Sequence, residues 1–181
     1  GGRRTVKSIK KMAKDGMIDN TGETLSVMSY EKPIMLVFLR HFGCTFCREA
    51  LADISKRKND IEATGTRIVF VHMASDEIAE RYFNRYKLEC ATHISDPGCK
   101  YYKAFGLVKG NLTQLFGLQT FIRGFESSVI EGHGLGPMLG DGFQMPGIFV
   151  IQEDEIKESF IHKLASDRPN YVELAKCCAI A

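Results

Sequence analysis

The stretch that decides the fold is Ile34-Met35-Leu36-Val37-Phe38-Leu39, followed by Arg40-His41-Phe42-Gly43 and then Cys44-Thr45-Phe46-Cys47. Six consecutive apolar residues with no polar alternation describe a strand covered on both faces. His41-Phe42-Gly43 breaks the run, and beyond the cysteines Ala50, Leu51, Ile54 and Ile61 keep helical spacing. The unit is strand, turn and helix, with the cysteine pair at the helix N-terminus. Two cysteines three residues apart at a helix start face the same side, so their sulfurs can close a small disulfide ring. The unpaired N–H groups and positive dipole end of a first turn favour a thiolate, and Arg40, His41 and Arg48 add positive charge. Cys44 and Cys47 are therefore the candidate redox residues, with Thr45 and Arg48 in support.

Outward from this unit, Thr64-Gly65 ends the helix and Arg67-Ile68-Val69-Phe70-Val71 reads as a second buried strand. Ser75 with Glu77 and Glu80 starts another helix, to about Tyr86. A short strand at His93-Ile94-Ser95, a turn at Asp96-Pro97-Gly98 and a helical Cys99 to Phe105 come next. Gly147-Ile148-Phe149-Val150-Ile151 is a third strong strand, and Gln152-Glu153-Asp154-Glu155 turns it back into an antiparallel neighbour at Ile156 to Ile161. Pro169 precedes a last helix over Tyr171 to Ala179. On the N-terminal side, Leu25 to Met28 is expected to be a strand. The predicted class is α/β, a mixed central sheet flanked by helices.

The chain has 181 residues, room for one domain and a short arm. Apolar residues at 44% and charged residues at 25% exclude a disordered or low-complexity chain. The longest apolar run is far short of the roughly 20 residues that cross a bilayer, so no membrane span is expected. A net charge of +2 is too mild for nucleic acid as the main partner. The basicity is local: residues 1–20 carry six Lys and Arg against two Asp, a net +4. Residues 1–21 are thus read as a basic arm and 22–181 as the domain. One tight pair among six cysteines fits a reducing compartment, so a cytoplasmic location is expected.

No metal or other cofactor is expected, since His41 and the separated Cys90 and Cys99 do not complete a zinc set with the pair. Cys90 and Cys99 are expected to be packing residues, and adjacent Cys177 and Cys178 to be free thiols. His72, His93 and His162 carry no recognisable motif. Residues from Gly110 to Gly142 are expected to form an insertion covering the site. Pro146, at the start of a strand, needs no ladder hydrogen bond; a proline at this point of a redox α/β fold is often cis, with its preceding backbone beside the dithiol.

Three stretches together resemble a known family. Phe38 to Cys47 with its helix, Asp96-Pro97-Gly98 with Tyr102-Lys103-Ala104-Phe105-Gly106-Leu107, and Pro146-Gly147-Ile148-Phe149-Val150-Ile151 look like the AhpC/TSA branch of the thioredoxin superfamily. More narrowly, Cys44-Thr45-Phe46-Cys47 and Asp167-Arg168-Pro169 resemble the peroxiredoxin-like redoxins related to selenoprotein L. The resemblance implies a thioredoxin-like fold and thiol-based redox activity on a disulfide or hydroperoxide, with an external thiol reductant such as thioredoxin or glutathione. It also exposes departures. With the peroxidatic cysteine placed on Cys47, Arg40 and Cys44 stand where the peroxidase signature has proline and threonine, and Pro146 where it has an arginine. These departures favour a thiol–disulfide oxidoreductase over a thiol-dependent peroxidase. Thioredoxin logic makes Cys44 the attacking thiol; peroxiredoxin logic makes it Cys47.

Overall fold

The computed structural model describes residues 16–110 and 142–178. Most of the basic arm and of the expected insertion, together with residues 179–181, lies outside the described residues. A five-stranded mixed sheet forms the centre, in the order β3-β2-β1-β4-β5. Its strands are β1 (Ile34–Phe38), β2 (Arg67–His72), β3 (Thr92–Ser95), β4 (Gly147–Gln152) and β5 (Glu155–Ile161). β1, β2 and β3 are mutually parallel, while β4 runs antiparallel to both β1 and β5.

β1 is buried at every position because the sheet is covered on both sides. Met35 and Val37 join Leu51, Ile54 and Ile61 of α2 (Thr45–Ala63), Phe83 of α3 (Asp76–Arg85) and Tyr171 of α5 (Tyr171–Ala175) in one core. Ile34, Leu36 and Phe38 join Leu25 and Met28 of α1 (Leu25–Glu31) and Tyr102 of α4 (Lys100–Ala104) in the other. Strand alternation thus feeds two apolar layers from one run. Met17, just ahead of α1, is fully buried in the second core.

The segment expected to be a first strand is instead helix α1. Leu25 and Met28 are three apart, which puts both on one helix face, and the Thr24 hydroxyl caps the helix by accepting the Val27 N–H at 3.2 Å. This helix also fixes the β4–β5 hairpin. Glu153 and Asp154 both have positive φ, 51° and 63°, as a two-residue hairpin loop requires but non-glycine residues resist. The Asp154 N–H donates to Ser29 Oγ at 3.1 Å, and Ser26 Oγ donates to its carboxylate at 3.0 Å. Ties to α1 hold the turn where glycine would otherwise be favoured.

The ends of the segment between α4 and β4 meet: the Gly110 N–H donates to the Phe143 carbonyl at 2.7 Å. Gly147, at the head of β4, lies against Leu107, and a Cβ there would stand 2.6 Å from Leu107 Cδ2. Replacing it with alanine overpacks the second core, in which Leu107 is buried. Gly147→Ala is expected to cost about 1–3 kcal/mol, measured by urea denaturation, and a double variant with Leu107→Ala should recover part of that loss. Additive losses in the double variant would refute this contact as the cause.

Candidate active site

The site sits at the C-terminal edge of β1, the usual place for function in sheets with parallel strands. Cys44 is the N-cap of α2 and half-buried, whereas Cys47, one turn on, is 2% exposed. Both are free thiols. Helix geometry puts them on one side, as the spacing predicts, but it gives them different surroundings.

Arg40 is 5% exposed. Its Nε donates to the Gln144 carbonyl at 3.2 Å and its Nη2 to the Gly142 carbonyl, which leaves Nη1 to donate to Cys44 Sγ at 3.1 Å. A held guanidinium stabilises negative charge as it develops on that sulfur. Cys47 has the opposite environment. Burial pushes its thiol far above its ordinary pKa and proximity to Cys44 adds to this, with Arg40, Arg168 and Arg48 opposing.

Arg168 fastens the first turn of α2 to the C-terminal segment. It donates to the Phe46 carbonyl and, at 2.7 Å, to the Asp167 carbonyl, and lies 3.6 Å from the Glu49 carboxylate. Pro146 is buried and lines, with Cys47, a small cleft that is partly open to solvent and has room for about one water. No cis peptide bond occurs among the described residues, so the Met145–Pro146 bond is trans. Of the candidate residues, Cys47, Arg40 and Pro146 share this cleft, Cys44 adjoins it through Arg40, and Thr45 and Arg48 occupy the same helical turn, half-buried.

Three further residues shape the site, and the sequence does not single them out as site residues. Gln144 donates from its amide to the carbonyls of Leu107, Val108 and Met145, fixing the strand that presents Pro146. His162 lines the cleft. Tyr102 donates to the Leu39 carbonyl at 2.6 Å, setting the end of β1 from beneath. All three act across sequence separations that no local pattern records.

A second polar cluster lies at the ends of β2 and β3. His72 Nε2 is 2.9 Å from His93 Nδ1, and Asp76 Oδ1 is 3.8 and 3.4 Å from the two. The Ala74 N–H donates to His72 Nδ1 at 3.2 Å, so the proton of the neutral ring is assigned to Nε2 and given to His93. His93 Nε2 then donates to Glu80 at 3.3 Å. A metal on His72 Nε2 would need that proton moved to Nδ1, against the Ala74 N–H. The cluster is therefore a directed hydrogen-bond chain leading to the surface. Of the other cysteines, Cys99 packs on the second core, but Cys90 is exposed and is not the packing residue its sequence context suggests. Cys177 and Cys178 are free, with sulfurs 3.4 Å apart.

A mixed five-stranded sheet with helices on both faces is a thioredoxin-like fold. Residues 8–159 match the AhpC/TSA family model, and the chain belongs to that family. It is similar to the prostamide/prostaglandin F synthase of Danio rerio, 27% identical over 173 residues, covering 89% of this chain and 82% of that one. It is also similar to the chloroplastic thioredoxin-like protein AAED1 of Arabidopsis thaliana, 25% identical over 158 residues, covering 82% of this chain and 63% of that one. Among solved structures, peroxidoxin BcpB of Mycobacterium tuberculosis superposes with a TM-score of 0.59 at 14% identity, over 88% of this chain and 87% of that one. A variant of peroxiredoxin 6 of Arenicola marina gives 0.61 at 12% identity, over 88% and 66%. These structures share the peroxiredoxin version of the fold. Family membership makes thiol-dependent redox chemistry the class of function, while the likeness to selenoprotein L stays a resemblance of two short motifs. No helix among the described residues is long and apolar enough to cross a membrane.

Two buried histidines give the fold a pH dependence. Burial, then His93, lowers His72 to about 3, and burial, then Arg168, lowers His162 to about 4. Below about pH 6.5 the unfolded chain protonates both rings while the folded protein keeps them neutral, so stability falls with pH down to those values. The expected slope is up to ~1.4 kcal/mol per pH unit for each ring. Urea denaturation at pH 7.5, 6 and 5 measures it, and a His72→Gln variant should show a shallower slope; an unchanged slope would exclude that ring as a source.

Proposed function

We propose that the protein is a thiol–disulfide oxidoreductase in which Cys44 attacks and Cys47 resolves. The observation that carries this reading is the asymmetry of the pair: a buried guanidinium on the half-exposed sulfur, and burial that keeps the inner thiol protonated. The Cys44 thiolate attacks a disulfide sulfur, the leaving thiolate departs, and Cys47 displaces the second half to close Cys44–Cys47. An external thiol such as thioredoxin or glutathione then restores the pair, in keeping with a cytoplasmic setting. Pro146 offers a backbone edge beside the dithiol, Thr45 sits between the cysteines, and Arg48 adds charge at the same turn. No metal or other cofactor enters the cycle.

A thiol-dependent peroxidase is the second reading, and Arg40 favours it too. The resemblance puts Pro146 where the peroxidase signature has its arginine, yet Arg40 brings a guanidinium to the sulfur from another position. In that cycle Cys44 attacks the peroxide, the O–O bond breaks, an alcohol or water leaves, and Cys47 condenses with the sulfenic acid to release water. Rate constants for the reduced protein with hydrogen peroxide, an organic hydroperoxide and a model disulfide separate the two. Exchange with the disulfide is expected to be fastest, to vanish in Cys44→Ser and to stop at a trapped mixed disulfide in Cys47→Ser. Arg40→Met should slow the attack by about 10²-fold, comparable to the loss of one oxyanion donor. A fast peroxide reaction lost in Cys47→Ser but kept in Cys44→Ser would reverse the roles assigned here.

A further inference from the structure

The cleft beside Cys47 is walled mainly by apolar groups, among them Phe46, Ala50 and Ile148. His162 enters it from beyond the end of β5 and is 8% exposed, with an Nδ1 that has no hydrogen-bond partner. The backbones of Asp167 and Pro146 also bear on the ring. With Nδ1 unpartnered, the proton of the neutral imidazole is assigned to Nε2. A bare acceptor and a protonated thiol thus line the same small cavity.

Resting on the roles given to the pair above, we infer that His162 takes the proton of Cys47 as that thiol attacks the Cys44 mixed disulfide, directly or through one water. The Cys47 S–H bond breaks and a Cys44–Cys47 bond forms. The substrate sulfur leaves Cys44 as a thiolate with the electron pair, and the proton passes to His162 Nδ1. The two cysteines are oxidised and the substrate disulfide is reduced to two thiols, so the step needs no further reactant.

Among the side chains lining the cavity His162 is the one base, the other titratable ones being Cys47, Tyr171 and two arginines. Arg40, Arg48, Arg168 and Cys44 act on Cys47; Arg168 and Asp167 act on His162; Asp53 acts on Tyr171. The arginines are proton donors only. Tyr102 and Tyr171 are held protonated by burial. Asp167 spends Oδ2 on the N–H groups of Lys163 and Leu164, at 2.9 and 2.8 Å. Burial keeps His162 neutral at pH 7, so its lone pair is available. Once the proton moves, imidazolium and thiolate face each other across the cavity, and each offsets the desolvation of the other.

The test uses full-length protein carrying Cys90→Ser, Cys99→Ser, Cys177→Ser and Cys178→Ser, reduced and mixed with a chromogenic aromatic disulfide. The first thiolate released reports attack by Cys44, and the second reports resolution by Cys47. In His162→Phe the first release is expected to keep its rate. The second should slow by about 10²-fold, the usual worth of a proton acceptor, and rise with pH as hydroxide takes over. His162→Gln, which restores a hydrogen-bond acceptor but not a base, should be as slow. A second release at the parent rate and pH profile in His162→Phe would overturn the inference, as would recovery of the rate by glutamine. A parent protein that gives no second release would instead overturn the pairing of Cys44 with Cys47.

Discussion

The site depends on one buried cation. Arg40 follows the strand on which both cores are built, and burying its guanidinium is costly unless its donors are met. The carbonyls of Gly142 and Gln144 take two of them, so the third direction is set, and it points at Cys44. The same bonds tie the end of β1 to the approach of β4, and with it Pro146. Chemistry and architecture therefore share a single contact: whatever moves the 142–144 backbone moves the charge on the sulfur.

The pair is built to be unequal. Spacing at a helix start places two sulfurs together, but the sheet decides that one faces a guanidinium and the other an apolar wall. In the proposed cycle an inner thiol held protonated does not compete for substrate, and it lies one helical turn from the sulfur it would relieve. On that reading burial orders the two steps.

The elements whose signals are local are legible in the sequence. The unbroken apolar run at β1, the strand over Gly147–Gln152 with its return, and the helix after Cys44 all carry their pattern within a few residues. Leu25 to Met28, at four residues, fits either period; the Thr24 cap and the contacts of Ser26 and Ser29 with the distant hairpin decide for helix. Arg40 was legible as nearby charge, but not its direction, which depends on carbonyls about a hundred residues away. The His72–His93–Glu80 chain and the place of His162 arise from strand pairing and chain return, which leave no mark on spacing.

The central claim is that Cys44 and Cys47 act as one redox couple. The most direct measurement is their reduction potential, taken by equilibrating the protein with glutathione buffers, quenching with an alkylating reagent and assigning label to each cysteine by mass. The account predicts that both become blocked together in one two-electron transition, with Cys90 and Cys99 labelled throughout. Both sulfurs remaining labelled across the whole range, or blocking that pairs either of them with another cysteine, would contradict it.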